Sequence, residues 1–217
     1  MPGSLPSSAA RIEIAQPRLF TARAVLVVCA YGIFLCLPVF VSVLAMSLHW
    51  VGLLSLLYPF LVLCATVYFL PFGFGNSYVA RLVRSLNPDA GPASDAFIVQ
   101  LSLSPRLRSG IRAIVEDADD IGRLRVAGPD LVFQGDSVTL SIPFDQIKTV
   151  RLQNIGVRGL FAYPCIALAV PGLPNVESVI FAERSTCLLP AARRRTKHLY
   201  ERLSSRLLPG AKGQTDS

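Results

Sequence analysis

No Lys, Arg, Asp or Glu occurs between Arg23 and Arg81, and that gap constrains what the chain can fold into more than any other feature. Within it lie two apolar runs, Ala24 to Leu48 and Trp50 to Phe72. At about 1.5 Å of rise per helical residue, each exceeds the ~30 Å of a bilayer's hydrocarbon core. A cleaved signal peptide carries an apolar core of only about 7 to 15 residues, so the first run is too long for one. The reading is a pair of transmembrane helices over 24–48 and 50–72. The connection Ser47-Leu48-His49-Trp50 is short enough to force an antiparallel hairpin.

Arg11, Arg18 and Arg23 precede the first run, Arg81 and Arg84 follow the second, and the turn between has no Lys or Arg. The positive-inside rule then puts both termini in the cytoplasm, with residues 1–23 as a disordered tail. Pro38 and Pro59 lie near the middle of their runs, where proline removes a backbone hydrogen bond and kinks a helix. A pair of kinked spans and a re-entrant wedge both accommodate them. Neither run contains an ionisable side chain that would mark an ion pathway. Of 21 basic residues only Lys148, Lys197 and Lys212 are lysine, a skew that fits a GC-rich bacterial genome and hence a bacterial inner membrane.

The rest of the chain reads as protein bathed in water. Charged residues make up 16% of the whole against about 25% in ordinary soluble domains, and the deficit is confined to the apolar stretch. Ser77 to Asn87 places Val79, Leu82, Val83 and Leu86 at helical spacing with Arg81 and Arg84 opposite. This predicts a short amphipathic helix over 77–87 lying in the membrane interface. Pro88-Asp89-Ala90-Gly91-Pro92 opposes helix continuation, so 88–95 reads as a linker, 96–208 as one compact domain and 209–217 as a disordered tail.

Inside that domain the period changes to two, most clearly at Ser137-Val138-Thr139-Leu140-Ser141-Ile142, as in a half-buried strand. Turn residues recur at Gly128-Pro129-Asp130, Gly135-Asp136, Pro143, Gly156 with Gly159, and Pro171 to Asn175, bounding short antiparallel strands. Seven are expected: Phe97 to Leu103, Ile121 to Ala127, Leu131 to Gln134, Val138 to Ile142, Ile147 to Leu152, Phe161 to Val170, and Val176 to Arg184. A helix follows Pro190, with Leu199, Leu203 and Leu207 repeating along one face.

Seven strands and a closing helix is the order of a pleckstrin-homology-like domain. The stretches Asp120-Ile121-Gly122-Arg123-Leu124, Leu131 to Asp136, Leu140-Ser141-Ile142-Pro143 and Ile147-Lys148-Thr149-Val150 resemble the bacterial membrane-anchored members of that superfamily over about half the chain. The resemblance implies an α+β fold: a transmembrane hairpin followed by a seven-stranded, partly open antiparallel barrel capped by a helix. It implies a non-catalytic module for lipids, peptides or protein partners.

Chemistry-bearing motifs are sparse. Glu116-Asp117-Ala118-Asp119-Asp120 clusters carboxylates without the spacing of a calcium loop, and reads better as a solvated loop. Gly135-Asp136-Ser137 resembles a hydrolase nucleophile block, yet the only histidines are His49 and His198 and neither is placed to serve that serine as a base. Cys29, Cys36, Cys64, Cys165 and Cys187 form no metal-ligand spacing. No enzyme, cofactor or metal site is therefore expected.

The formal net charge of +7 concentrates on the last helix, in Arg193, Arg194, Arg195, Lys197, Arg202 and Arg206 opposed by Glu201. Near a cytoplasmic bilayer surface each such residue gains about 1 kcal/mol from anionic lipid. With Arg81 and Arg84, these are the candidate contacts to anionic headgroups; solvation of a helix face explains them equally well. A protein partner or a second copy of the chain is the other expected ligand. Nucleic acid is not expected, since no reader motif or interleaved aromatics accompany the charge. The competing role is an accessory subunit of a larger membrane complex, joined through the hairpin.

Overall fold

The computed structural model describes residues 9–47, 57, 59–61, 64, 75–86, 96–109, 118–155 and 163–207. Strand β1 (Arg11–Ile14) leads into helix α1 (Ala22–Ser47), then helix α2 (Asn76–Leu86). Seven strands follow: β2 (Ala96–Ser104), β3 (Asp120–Ala127), β4 (Asp130–Gly135), β5 (Val138–Pro143), β6 (Thr149–Ile155), β7 (Tyr163–Ala169) and β8 (Ser178–Glu183). Helix α3 (Leu189–Leu207) closes the described chain. The strands form one antiparallel sheet in the order β1-β5-β4-β3-β2-β8-β7-β6.

Alternation along the strands builds two faces. Leu124, Phe133, Leu140 and Ile12 are register partners on β3, β4, β5 and β1 and belong to or pack against the main core with Val99, Leu101, Ile166, Leu168, Val179 and Phe181. Their neighbours one residue away point to the opposite, outer face. Helix α3 spans the two: Ala192 packs beside Tyr163 and Cys165, while Leu199 and Leu203 enter the main core. At the β3–β4 turn Gly128 takes φ 61°, a left-handed conformation that a side chain disfavours. At Gly122 an added Cβ would lie 2.2 Å from the Gln134 carbonyl oxygen, so β3 and β4 pass too closely there for any side chain.

The structure corrects the sequence reading in four places. Among the described residues no helix is long and apolar enough to cross a membrane. That finding overturns the two-span hairpin, the integral inner-membrane placement with both termini cytoplasmic, and the membrane-complex role built on it. The first run does form a helix, α1, but Arg23 lies in its first turn and Pro38 within it. Side chains at positions 28, 31, 32, 35, 36, 39 and 46 fall outside the described residues, as does all of the second run except Leu57, Pro59, Phe60, Leu61 and Cys64. Leu26, Ile33, Phe34, Phe40 and Val41 of α1 are more than half exposed.

The second correction concerns residues 1–23. They include β1, an eighth strand that pairs with β5, and Ala10 and Phe20 are buried. Third, the apolar face of α2 does not await a membrane interface: Val79 and Val83 pack with Phe20, Ala118 and Ile121 on the outer face of the sheet. Fourth, the sheet has eight strands rather than seven, because the N-terminal segment takes the free edge of β5. The linker 88–95 and the tail 209–217 lie outside the described residues.

Candidate functional site

The outer face beside α2 holds a cleft of about 440 Å³. Its floor is a single cross-strand row. Arg123 on β3 is the register partner of Gln134 on β4, Gln134 of Thr139 on β5, and Thr139 of Glu13 on β1. One rung along runs a second row, Arg125, Val132, Ser141 and Arg11. Val83 and Leu86 of α2 line the cleft, as do Ile14, Ala15 and Arg18 from the N-terminal segment. A second hollow of about 320 Å³ shares Glu13 and Thr139 with it and adds Arg11, Asp130 and Ser141.

The lining is held by buried carboxylates. Asp136 Oδ2 accepts three consecutive backbone N–H groups, from Arg18 at 2.8 Å, Leu19 at 2.7 Å and Phe20 at 2.7 Å, anchoring the backbone that carries Arg18. The Ala15 N–H donates to the Ser137 carbonyl at 2.7 Å, clamping the end of β1. Asp120, wholly buried, accepts from Ile121 at 2.8 Å through Oδ1 and from Ser137 at 2.8 Å and Val138 at 2.6 Å through Oδ2. Burial raises its pKa above the ordinary aspartate value, partly offset by those three hydrogen bonds, and the neighbouring Asp136 charge adds to the rise. Asp119 accepts from Leu103 at 2.7 Å and Leu107 at 2.9 Å.

The acidic cluster is thus not a solvated loop where it is described. Asp119 and Asp120 are internal acceptors that terminate strands, while Glu116 and Asp117 lie outside the described residues. Among the described residues no group of His, Cys, Asp and Glu is arranged to hold a metal ion.

A second polar network ties α2 to the sheet. Buried Arg184 donates from Nε to Gln100 at 2.8 Å, from Nη1 to Asn76 Oδ1 at 3.0 Å and from Nη2 to the Tyr163 hydroxyl, with its guanidinium 4.1 Å from the Tyr163 ring centroid. Asn76 Nδ2 in turn donates to the Thr186 carbonyl. Next to it, Glu183 Oε1 accepts from the Ser185 hydroxyl and from the Ser185 N–H at 3.0 Å. Arg195 stands 3.9 Å from the same oxygen and donates to Ser185 Oγ at 2.5 Å.

Burial raises the Glu183 pKa above the ordinary glutamate value; the Ser185 hydrogen bonds and the charges of Arg195 and Arg184 lower it less. A carboxyl whose pKa is raised on folding binds more protons folded than unfolded above its ordinary value. Its contribution to stability is therefore present at low pH and lost as pH rises through the folded pKa. Glu183→Gln is expected to gain stability relative to the natural chain as pH is raised from 4 to 7, checked by thermal unfolding of both across that range.

The predicted basic residues do not converge. At 100° per residue, Arg193, Arg194, Arg195, Lys197, Arg202 and Arg206 spread over an arc of about 220° around α3. Arg195 is engaged at Glu183 and Ser185, and Lys197 stands 3.8 Å from Glu201. Arg81 and Arg84 are exposed on α2, which packs on β2 and β3, whereas α3 packs on β6, β7 and β8. The cleft residues Arg123, Gln134, Thr139 and Glu13 are brought together only by register across four strands, and Arg18 only by the hydrogen bond of its backbone to Asp136, so none is adjacent in the sequence. The alternation around Thr139 was the one available signal.

Burial pushes the Cys165 thiol up to about 12, so it stays protonated. His198 is exposed on α3 with its ring 6.1 Å from that of Phe97, and no histidine lines the cleft that contains Ser137. His49 lies outside the described residues.

No family model matches the sequence, and no curated protein matches it. A chain in a solved structure described as the 8S snRNP assembly intermediate is similar over 56% of this chain and 86% of that one, with 14% identity and a TM-score of 0.32.

Proposed function

We propose that the chain is a non-catalytic binding module that docks a protein partner in the cleft between α2 and the outer face of β3, β4, β5 and β1. The observation that carries this reading is the floor row Arg123, Gln134, Thr139, Glu13 beside the accessible apolar side chains of Leu86 and Ile14. Polar groups that fix orientation beside apolar surface that supplies contact are the composition of a recognition site, and about 440 Å³ falls within the ~300–1,000 Å³ of ligand clefts. The row offers cation, amide, hydroxyl and carboxylate, which bind and orient without an activated nucleophile. A meander of four strands, β2 to β5, a meander of three, β6 to β8, and a closing helix whose Leu199 and Leu203 enter the core support a relation to the pleckstrin-homology-like modules, which are generally non-catalytic.

The test uses the full-length chain, kept dispersed in mild detergent because α1 exposes apolar side chains, as bait for a random displayed-peptide library. Thr139→Trp, on an exposed outward position of β5 where an aromatic is well tolerated, should fill the cleft without entering the core. Peptides selected by the natural chain are expected to lose at least about tenfold in affinity for Thr139→Trp, about 1.4 kcal/mol. Selected peptides that bind both chains equally would overturn the cleft as the site.

A further inference from the structure

Resting on the reading of the cleft as a protein-docking site, we infer that its occupant is an extended segment with an acidic residue and a basic residue four positions apart, an apolar side chain midway between them. The ordering of the floor carries this. Arg123 and Glu13 stand at the two ends of one cross-strand row, with Gln134 and Thr139 between. Neighbouring strands lie about 4.8 Å apart, so the row spans about 14 Å from its cationic to its anionic end. In an extended peptide, side chains on one face recur every second residue, about 6.8 Å. Two such steps match the row, and one step falls in its middle.

The walls fit the same occupant. Leu86 lines the cleft with part of its side chain accessible, which suits an apolar middle side chain, while Gln134 and Thr139 below can donate to or accept from peptide amides. Arg18, its backbone anchored on Asp136, adds a second guanidinium to the lining. The lining as a whole has Arg18 and Arg123 against Glu13 and Asp136, so it is bipolar rather than basic. Bipolarity disfavours a polyanion: Glu13 would face phosphate at one end, and no aromatic side chain lines the cleft to stack a base. A helical segment fits less well, since its i and i+4 side chains are only about 6 Å apart.

Charge order makes the inference testable without knowing the natural partner. Two nine-residue fluorescent peptides are compared by anisotropy on the full-length chain: one with an aspartate, then a leucine two residues on, then a lysine two further on, and a second with that leucine replaced by serine. The bound orientation is free, so charge reversal is read on the protein. Arg123→Glu and Glu13→Arg are each expected to weaken the leucine peptide by about tenfold or more, about 1.4 kcal/mol. The double variant carrying both changes should recover most of that loss, because the peptide binds in the opposite direction along the row. The serine peptide should bind several-fold more weakly to every chain. Far-UV circular dichroism and the thermal midpoint show that each variant is folded, and the recovery in the double variant cannot come from misfolding. If neither peptide binds, or if the single variants bind the leucine peptide as well as the natural chain does, the charge-ordered occupant is overturned. The cleft reading survives that result provided library-selected peptides still lose affinity for Thr139→Trp.

Discussion

Gly122→Ala is expected to destabilise the chain by about 3 kcal/mol or more, read as a lowered denaturant midpoint with an unchanged slope. An alanine Cβ at this position would stand 2.2 Å from the Gln134 carbonyl oxygen and 2.6 Å from the Gly135 Cα. Both are backbone atoms, and no rotamer change relieves the overlap. Relief requires β3 and β4 to separate where Gly122 pairs with Gly135. The adjacent pair in that ladder is Arg123 and Gln134, so any variant that does fold carries a displaced cleft floor. The same substitution should therefore weaken peptide binding beyond what loss of folded protein explains.

Asp120→Ala is the second large effect, at about 3 kcal/mol or more. The carboxylate accepts three backbone N–H groups, and its residue is wholly buried. Each buried donor left without an acceptor costs about 1–3 kcal/mol, although water entering the vacated space relieves part of it. Asp120→Asn keeps the shape and one acceptor oxygen, so it should cost markedly less. The comparison also has a pH signature. Because burial raises the Asp120 pKa above the ordinary aspartate value, ionisation weakens the fold, and stability from this group is lost as pH rises through its folded pKa. The disadvantage of Asp120→Asn against the natural chain should accordingly shrink between pH 4 and pH 7 in parallel denaturant titrations.

Much of the sheet was legible because alternation is a local property. Val138 to Ile142 reads as a strand from its own residues, and the observed β5 (Val138–Pro143) occupies that place. The helix after Pro190 announced itself through Leu199 and Leu203, whose burial follows from their spacing. The eighth strand was not legible: Arg11–Ile14 has only four residues, and its strand conformation comes from the open edge of β5, a partner more than a hundred residues away. Asp136 shows the same limit, since nothing in Gly135-Asp136-Ser137 indicates that its carboxylate will receive the N–H groups of Arg18, Leu19 and Phe20.

The first apolar run is legible as helix and is misjudged as a span. Ala22–Ser47 coincides closely with the first run, because helical propensity and length are written locally; the solvent that surrounds a helix is not. The amphipathic pattern of Val79 and Val83 was likewise read correctly as a face and assigned to the wrong neighbour, the partner being Phe20 and Ile121 rather than lipid. Charge counting along the chain singles out α3, where basic residues are adjacent in sequence, as the candidate contact to anionic headgroups. The register of four strands assembles Arg123, Gln134, Thr139 and Glu13, and adjacency of that kind is invisible until the strands are paired.

Hydrogen–deuterium exchange of the full-length chain, with and without a saturating library-selected peptide, tests the cleft as the docking site most directly. The account predicts new protection at Arg11 to Ala15 and in the second half of α2, around Val83 and Leu86, with α3 unchanged. Protection confined to α3 would contradict it and make the basic helix the binding surface.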